Sequence, residues 1–455
     1  MTIPTTRTRV LVSGASIAGP ALAYWLDRYG FETTIVERAP ELRTGGQNVD
    51  VRGAGREVVR RMGLEDDVRA ATTGEVGTRF VGPTGRTVAE FPAGTSDSGG
   101  ATAELEILRG DLARLLVGRT TSDGRGRGTT YRFGDRITGI REDGGVGVGV
   151  GGGVGAAGAA ADAATGGDPT TTAASALAGT APPGSGSRRV VVSFEHAPDE
   201  RFDLVVAADG IGSSTRRLVF GDEPTIRSLG LETSYATIPR TAADDDWWRW
   251  YNAAGGRSIT LRPDPQGTIR AAMSFVTDRA RERGGAERRT VAEQRARLHE
   301  IFDDAGWEAR RVLDGFDHAD DLYFESIGQV QAPRWSSGRV VLLGDAAYCA
   351  SPVSGMGTSL SLAGAYVLAG ELASHRHHRD AFAGYERLMR PYVEQAQQLP
   401  PGVPRVANPR SRAGVVVFHA GVRLASTRVA GRLGARFSTP PADALDLPDY
   451  AHLEP

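Results

Sequence analysis

Residues 339–357 read RVVLLGDAAYCASPVSGMG, a run that packing alone does not explain. Val340 to Leu343 have the continuous apolar pattern of a fully buried strand. Gly344 and Asp345 follow at once, then Pro352 and Val353, the triplet Gly355-Met356-Gly357, and a small-residue helix pattern, TSLSLAGAYVLAGEL. A carboxylate at a strand end beside glycines that open a helix sets an acceptor next to bare backbone N–H groups. That pairing suits a ligand carrying both hydroxyls and an electron-rich edge. A ribityl flavin is such a ligand.

The elements needed to position this chemistry begin at the other end of the chain. Arg9 to Ser13 reads as a first strand and Pro20 to Tyr29 as a helix that Gly30 stops. Thr33 to Val36 reads as a second strand ending at Glu37. Between the first strand and the helix stands Gly14-Ala15-Ser16-Ile17-Ala18-Gly19, a dinucleotide fingerprint with its middle glycine replaced by Ser16. Gly14 makes the tight turn, Gly19 lets helix and strand pack closely, and the helix N-terminus receives a pyrophosphate. Glu37 sits where a ribose hydroxyl needs an acceptor. Without a ligand, the same pattern reads as a glycine-rich turn of some other α/β protein. A third strand, Phe202 to Ala208, leads into Asp209-Gly210-Ile211-Gly212-Ser213-Ser214-Thr215-Arg216.

With this third motif the chain resembles the class A FAD-dependent monooxygenases, the para-hydroxybenzoate hydroxylase-like group. Their glycine fingerprint, DG motif and GD motif occur here in order, and the resemblance spans most of residues 8–400. GGQNVDVRG after Glu37, LRGDLARLL from Leu108 and FDDAGWEARRVL before the GD motif are similar to stretches of tetracycline-inactivating and other actinobacterial antibiotic- or polyketide-modifying enzymes. The fold implied is α/β: a Rossmann-type FAD-binding domain with an interleaved α+β substrate domain and a C-terminal helix. The chemistry implied is reduction of FAD by NADPH or NADH, addition of O2 to give a flavin C4a-hydroperoxide, and insertion of one oxygen atom into an aromatic or polyketide-type small molecule. Baeyer–Villiger oxygenation uses the same intermediate and stays open. So do an oxygen-independent flavin reductase or dehydrogenase and a protein that merely sequesters its ligand.

Carried over residue by residue, the resemblance implies that Gly14, Ser16, Ile17, Ala18, Gly19, Glu37 and Arg38 hold the ADP half of FAD. Asp50 and Arg109 match flavin-contacting positions. Asp209 and Gly210 form the DG motif, linked to both FAD and the reducing cofactor. Asp345 accepts from the ribityl chain, and Pro352, Gly355, Met356 and Gly357 line the isoalloxazine ring. Tyr235, Arg270, Ala272, Pro352 and Val353 match substrate-pocket positions. The alternation of Arg270, Ala272 and Ser274 sets them on one sheet face, with Met273 opposite. Flavin chemistry needs no catalytic side chain, so none is expected, and no metal. Two positions depart from the family pattern. Tyr348 replaces the histidine that usually follows Gly-Asp-Ala-Ala, and Gly364 stands where a later acidic residue is common.

Composition narrows the alternatives. The 455 residues suffice for two or three domains, and a net charge of −2 gives no footprint for nucleic acid. All 53 basic residues are arginine. With no lysine there is no Schiff base, pyridoxal phosphate anchor or Walker lysine. Cys349 is the single cysteine, which excludes an intrachain disulfide or a cysteine metal cluster. Gly14, Gly19 and Pro20 interrupt the uncharged stretch Val10–Leu26 and no basic-then-apolar start precedes it, so a cytoplasmic protein away from membranes is expected. A monomer or weak homodimer is expected.

The expected FAD-binding domain comprises 1–72, 100–224 and 332–394, and the substrate domain 73–99 and 225–331. A helical segment and tail, 395–455, follows. Arg79 to Phe91 reads as a hairpin around Gly82-Pro83-Thr84-Gly85, and Arg132–Glu142 with Arg189–Glu195 as the arms of another. Between those arms, 144–187 is almost wholly Gly, Ala, Thr, Ser, Pro and Val, so a disordered insertion is expected. His375, His377 and His378 read as a solvated helix end rather than metal ligands. Trp247, Trp248, Trp250 and Tyr251 read either as substrate-stacking residues or as sheet core. Cys349 reads as a small buried filler.

Overall fold

The structure is a computed structural model that describes residues 7–43, 45–93, 105–122, 128–143, 189–277, 289–399, 402–427 and 445–453. The segment 144–187 lies outside the described residues. The apolar runs read as buried strands form one six-stranded sheet, in the order Ser336–Ser337, Val340–Leu342, Leu204–Ala207, Arg9–Ser13, Glu32–Glu37, Thr130–Phe133. Every pairing except the first is parallel. The three motifs therefore leave the carboxyl ends of adjacent strands, where open α/β sheets bind ligands.

The helix Gly357–Ser374 is apolar on all sides, and every residue from Thr358 to Leu372 is buried. A helix of that composition has to be enclosed. It packs against the helices Ala18–Arg28, Gly53–Arg61 and His378–Gln397. Small residues allow the close approach: a Cβ on Gly55 would stand 2.6 Å from the Ser359 Cα. The C-terminal segment closes the same core, with Tyr450 lying over Gly370 and donating to Glu371 Oε1 at 2.6 Å.

A seven-stranded sheet runs Tyr323–Gln331, Thr225–Pro239, Thr268–Val276, Arg257–Pro263, Trp248–Ala253, Gly77–Val81, Thr87–Pro92. Its alternation is regular. Ile269, Ala271, Met273 and Phe275 enter a core with the helices Val291–Phe302 and Ala309–His318, and Thr268, Arg270, Ala272 and Ser274 take the other face. The hairpin around Gly82–Gly85 forms as read, closed by Gly85 N–H donating to Gly82 O at 2.9 Å.

The second expected hairpin differs. Its first arm is broken: Thr130–Phe133 joins the edge of the six-stranded sheet, and only Ile137–Glu142 pairs with Val190–Phe194. The break falls at Gly134, at φ +73°. Asp135 then fixes the turn by accepting from the N–H groups of Arg136, Glu195, His196 and Ala197. Those donors hold its carboxyl below the usual range against the opposing effect of burial. His375, His377 and His378 occupy the turn between two helices, ending at Ser374 and starting at His378.

Candidate functional site

The fingerprint turn is built on two glycines that tolerate no substitution. Gly14 has φ +111°, and a Cβ there would stand 2.5 Å from the Ala208 carbonyl oxygen. A Cβ on Gly19 would stand 2.0 Å from the Gly14 carbonyl oxygen. The helix Ala18–Arg28 starts with no side-chain cap and no acidic residue in its first turn. Its first N–H groups are thus left for an anion. Ser16 Oγ accepts from Arg109 Nε at 3.1 Å, which ties the turn to the ribbon formed by Asn48–Asp50 and Glu106–Leu108. Glu37 accepts from Ala15 N–H at 3.0 Å and Ala39 N–H at 2.9 Å, and each carboxylate oxygen keeps a further lone pair. Arg38 is exposed at the same strand end. Ile17 and Ala18 are buried, so they present backbone rather than side chain.

At the GD motif, two carboxylates flank the glycine turn. A Cβ on Gly355 would stand 3.5 Å from Asp50 Oδ2, and one on Gly357 would stand 3.9 Å from Asp345 Oδ1. Burial pushes the Asp345 carboxyl up, and the nearby Arg109 charge opposes this. Burial also pushes up Asp50, against the pull of Arg52, which donates to Asp50 Oδ2 at 3.0 Å. Ser351 is held at φ +78° and its buried Oγ has no hydrogen-bond partner among the described residues. A non-glycine residue in that region stores strain, a feature that clusters at ligand sites. Pro352 is exposed and Val353 half-buried. Met356 is fully buried, and its N–H donates to Ser354 Oγ at 3.2 Å, so its side chain serves the core. The following helix, like the first, starts without a side-chain cap or acidic first turn.

Asp209 turns inward. It accepts from the hydroxyls of Ser213 and Thr215 and from Thr215 N–H at 3.1 Å. It thereby fixes the DG turn, in which Gly210 adopts φ +85°. Arg216 closes that motif. It is buried and donates to Ala346 O at 2.8 Å and Ile211 O at 2.6 Å, which locks the DG motif to the GD motif. Burial pushes its pKa down. The arginine at the end of the DG stretch is a signal that sequence reading could have used.

The two departures from the family pattern meet in space. A Cβ on Gly364 would stand 2.0 Å from the Tyr348 hydroxyl oxygen. The Tyr348 phenol fills the volume above the glycine, packs against Trp335 with ring centroids 4.7 Å apart, and accepts from the Tyr385 hydroxyl at 3.0 Å. A large side chain at 348 and none at 364 exchange volume. Cys349 next to it is buried, and burial pushes its thiol well up.

On the seven-stranded sheet, register sets Tyr235 and Thr260 beside Ala272, and Thr237 and Arg262 beside Arg270. The donors of Arg270 are engaged, by Asp264 at 2.9 Å, Thr237 Oγ1 at 2.5 Å and Gln266 Oε1 at 3.0 Å. Its neighbour Arg262 reaches from this face to the ribbon carrying Asp50, where it pairs with Glu75 at 2.8 Å and contacts Glu106. Its guanidinium lies 4.0 Å from the Trp248 ring centroid. The alternation Ser258, Thr260, Arg262 would have revealed it. The Trp247–Tyr251 segment divides. Trp248 and Trp250 share this face, with Phe80 stacked on Trp250 at 5.7 Å and Phe418 beyond it. Trp247 lies under Arg79, and Tyr251 is core, donating to Ala305 O. Burial pushes the Tyr235 phenol up, so it remains a donor.

These residues fit an FAD. Two helix N-termini stand uncapped, the first beside glycines where a Cβ would overlap backbone and the second beside the Asp50 and Asp345 carboxylates. Near them, both side-chain polar atoms of buried Asn48 and the Ser351 Oγ lack partners among the described residues. A buried polar atom left unpaired is costly and is accounted for by a polar ligand.

The fold and site define a flavoprotein of the para-hydroxybenzoate hydroxylase type. The FAD binding domain family matches residues 191–399. A flavin-dependent monooxygenase of a Phoma species is 34% identical over 99% of both chains. An FAD-dependent monooxygenase of Sarocladium schorii is 30% identical over 98% of both. The crystal structure of tetracycline destructase Tet(55) is 30% identical, with TM-score 0.69 over 99% of this chain and 100% of that one. The chain belongs to the FAD-dependent monooxygenases, and its cofactor is FAD. No helix among the described residues is long and apolar enough to cross a membrane.

Proposed function

We propose that the enzyme consumes NAD(P)H and O2 to hydroxylate a planar aromatic or polyketide-type molecule bound between the seven-stranded sheet and the GD loop. The observation that carries this reading is the sheet face itself. Trp248, Trp250 and Phe80 offer aromatic surface, and Tyr235, Thr260 and Arg262 add polar groups beside it. Such a surface binds a flat, oxygenated ring by stacking and directed hydrogen bonds. The resemblance to structures solved as tetracycline destructases supports a polycyclic substrate.

Asp345 would accept from the ribityl hydroxyls of a bound FAD, and Glu37 from its adenosine ribose. The uncapped turns at Ala18 and Gly357 would hold the pyrophosphate and the electron-rich edge of the ring system. Bound FAD supplies electron transfer and oxygen activation. The chain's own part is to bind and orient the substrate and to keep water away. Within one fingerprint site, the nicotinamide cofactor visits rather than stays. The test is a screen of polycyclic phenols and enols, following NADPH and NADH loss together with oxygen uptake. A substrate that speeds both equally and gains one oxygen supports the reading. Cofactor loss that leaves oxygen unchanged and yields a saturated product identifies a reductase and refutes it.

A further inference from the structure

The C-terminal helix Arg412–Ala425 is packed on one side only. Phe418 lies against Phe80 with ring centroids 5.7 Å apart, and Arg423 Nε donates to Val88 O at 3.3 Å. That side rests on the hairpin Gly77–Val81 and Thr87–Pro92, and Val415, Phe418 and Val422 line it at helical spacing, half-buried. A second apolar row has the same spacing on the opposite side. Val416, Val417 and Leu424 there are 68%, 71% and 68% exposed, with exposed Ala413, Ala420 and Gly421 among them. Among the described residues nothing covers this outward row. A helix that is apolar on both sides is ordinarily enclosed, as Gly357–Ser374 is. A contiguous outward row of large apolar side chains marks an interaction surface.

Charge selects the occupant. Between Glu394 and Asp443 the sequence has seven arginines and no Asp or Glu, although the whole chain carries 55 acidic residues against 53 basic. Arg405, Arg410, Arg412 and Arg423 are the four of these among the described residues, and all are exposed. Arg412 and Arg423 stand eleven positions apart, about three turns, so they share one edge of the helix beside the outward row. A second copy of this chain is a poor fit, because a symmetric contact sets arginines against arginines. One face of a 14-residue helix also falls short of the about 800 Å² per partner that a stable dimer buries. An anionic lipid surface meets both demands: the valines and leucine enter the acyl boundary while the arginines stay at the level of the phosphates.

We propose that Arg412–Ala425 docks the enzyme onto anionic lipid, as an interfacial helix lying in the plane of the bilayer surface. The contact with Phe80 ties the helix to the seven-stranded sheet, so docking sets that sheet, rather than the six-stranded one, nearest the lipid. The expectation of a protein away from membranes concerns leader and spanning segments. Which side of a short helix is packed becomes visible only in the fold. The docking does not rest on the reading of the sheet face as the substrate surface.

The experiment floats the FAD-loaded full chain with vesicles of phosphatidylcholine alone and of phosphatidylcholine with an equal part of phosphatidylglycerol. The wild type should float with the anionic vesicles at about 0.1 M salt and lose most of that binding at about 1 M, where screening shortens to about 3 Å. It should not float with the neutral vesicles. Val417→Asp combined with Leu424→Asp should abolish flotation while FAD content and melting temperature hold, since both side chains already face solvent. Arg405→Gln combined with Arg412→Gln should weaken partitioning by about fivefold per arginine. If the aspartate variant loses FAD, Val417→Ser with Leu424→Ser tests the same face by a smaller step and should also lose flotation. A wild type that leaves the anionic vesicles unbound, or that binds both vesicle types equally, overturns the proposal. So does flotation unchanged in the folded face variants. A wild-type dimer in light scattering that Val417→Asp with Leu424→Asp splits would give the face to a second copy and overturn it as well.

Discussion

Gly364→Ala is the sharpest test of how this chain tolerates its two departures from the family pattern. The new methyl would stand 2.0 Å from the Tyr348 hydroxyl, where ordinary contact begins at 3.4 Å. The phenol has nowhere to retreat. It is 1% exposed, wedged against Trp335 and bonded to Tyr385. Overpacking of this kind costs about 1–3 kcal/mol. Displacing the ring also breaks the Tyr385–Tyr348 bond, at about 0.5–1.5 kcal/mol. The expected cost is about 2–4 kcal/mol, read from the urea midpoint of the transition that releases FAD. Tyr348→Phe removes the clashing oxygen. The Tyr385 hydroxyl still reaches Leu342 O at 3.2 Å, so that variant should lose only about 1 kcal/mol. The double variant should then be more stable than Gly364→Ala alone, with a coupling of about 1–2 kcal/mol. Additive losses, within about 0.5 kcal/mol, would refute the exchange of volume between the two positions.

Asp345→Ala should weaken FAD binding by about 1.5–3 kcal/mol, the value of a charge-assisted bond to the ribityl chain, measured by flavin fluorescence titration; unchanged affinity would remove Asp345 from the site. Gly19→Ala should yield colourless protein, because its methyl would overlap the Gly14 carbonyl; full FAD content would show that the turn adapts. Replacing 144–187 with Asn-Gly should leave FAD content and turnover intact. Asp143 N–H already donates to Arg189 O at 2.7 Å, and shortening a loop changes closure entropy by only about 0.6 kcal/mol per halving. Loss of either property in a folded variant would assign that segment a role. Arg262→Ala should raise substrate KM well beyond the effect of Arg270→Ala, whose partners Asp264 and Gln266 lie at its own sheet end; the reverse order would return the pocket to Arg270.

Much of the fold was legible because its signals are local. Continuous apolar runs marked the parallel strands, and alternation marked the second sheet down to the shared face of Arg270, Ala272 and Ser274. The glycines of the fingerprint were legible because a turn at φ +111° and a 2.0 Å approach demand that residue. What escaped depends on distant partners. Arg132 reads as strand whether or not Gly134 and Asp135 turn the chain, and only the donors at 195–197 decide it. Tyr348 and Gly364 read as two separate defects until their contact is seen. Arg270 and Arg262 are equivalent in pattern. Their difference lies in Asp264 for one and the buried Glu75–Glu106 pair for the other.

The most direct test of the proposed reaction is turnover under 18O2 with a polycyclic phenol or enol and NADPH or NADH. The expected product carries one 18O atom, with NAD(P)H and oxygen consumed in equal amounts. A product without label, formed at the same rate when oxygen is removed, would contradict the assignment of this site to oxygen insertion.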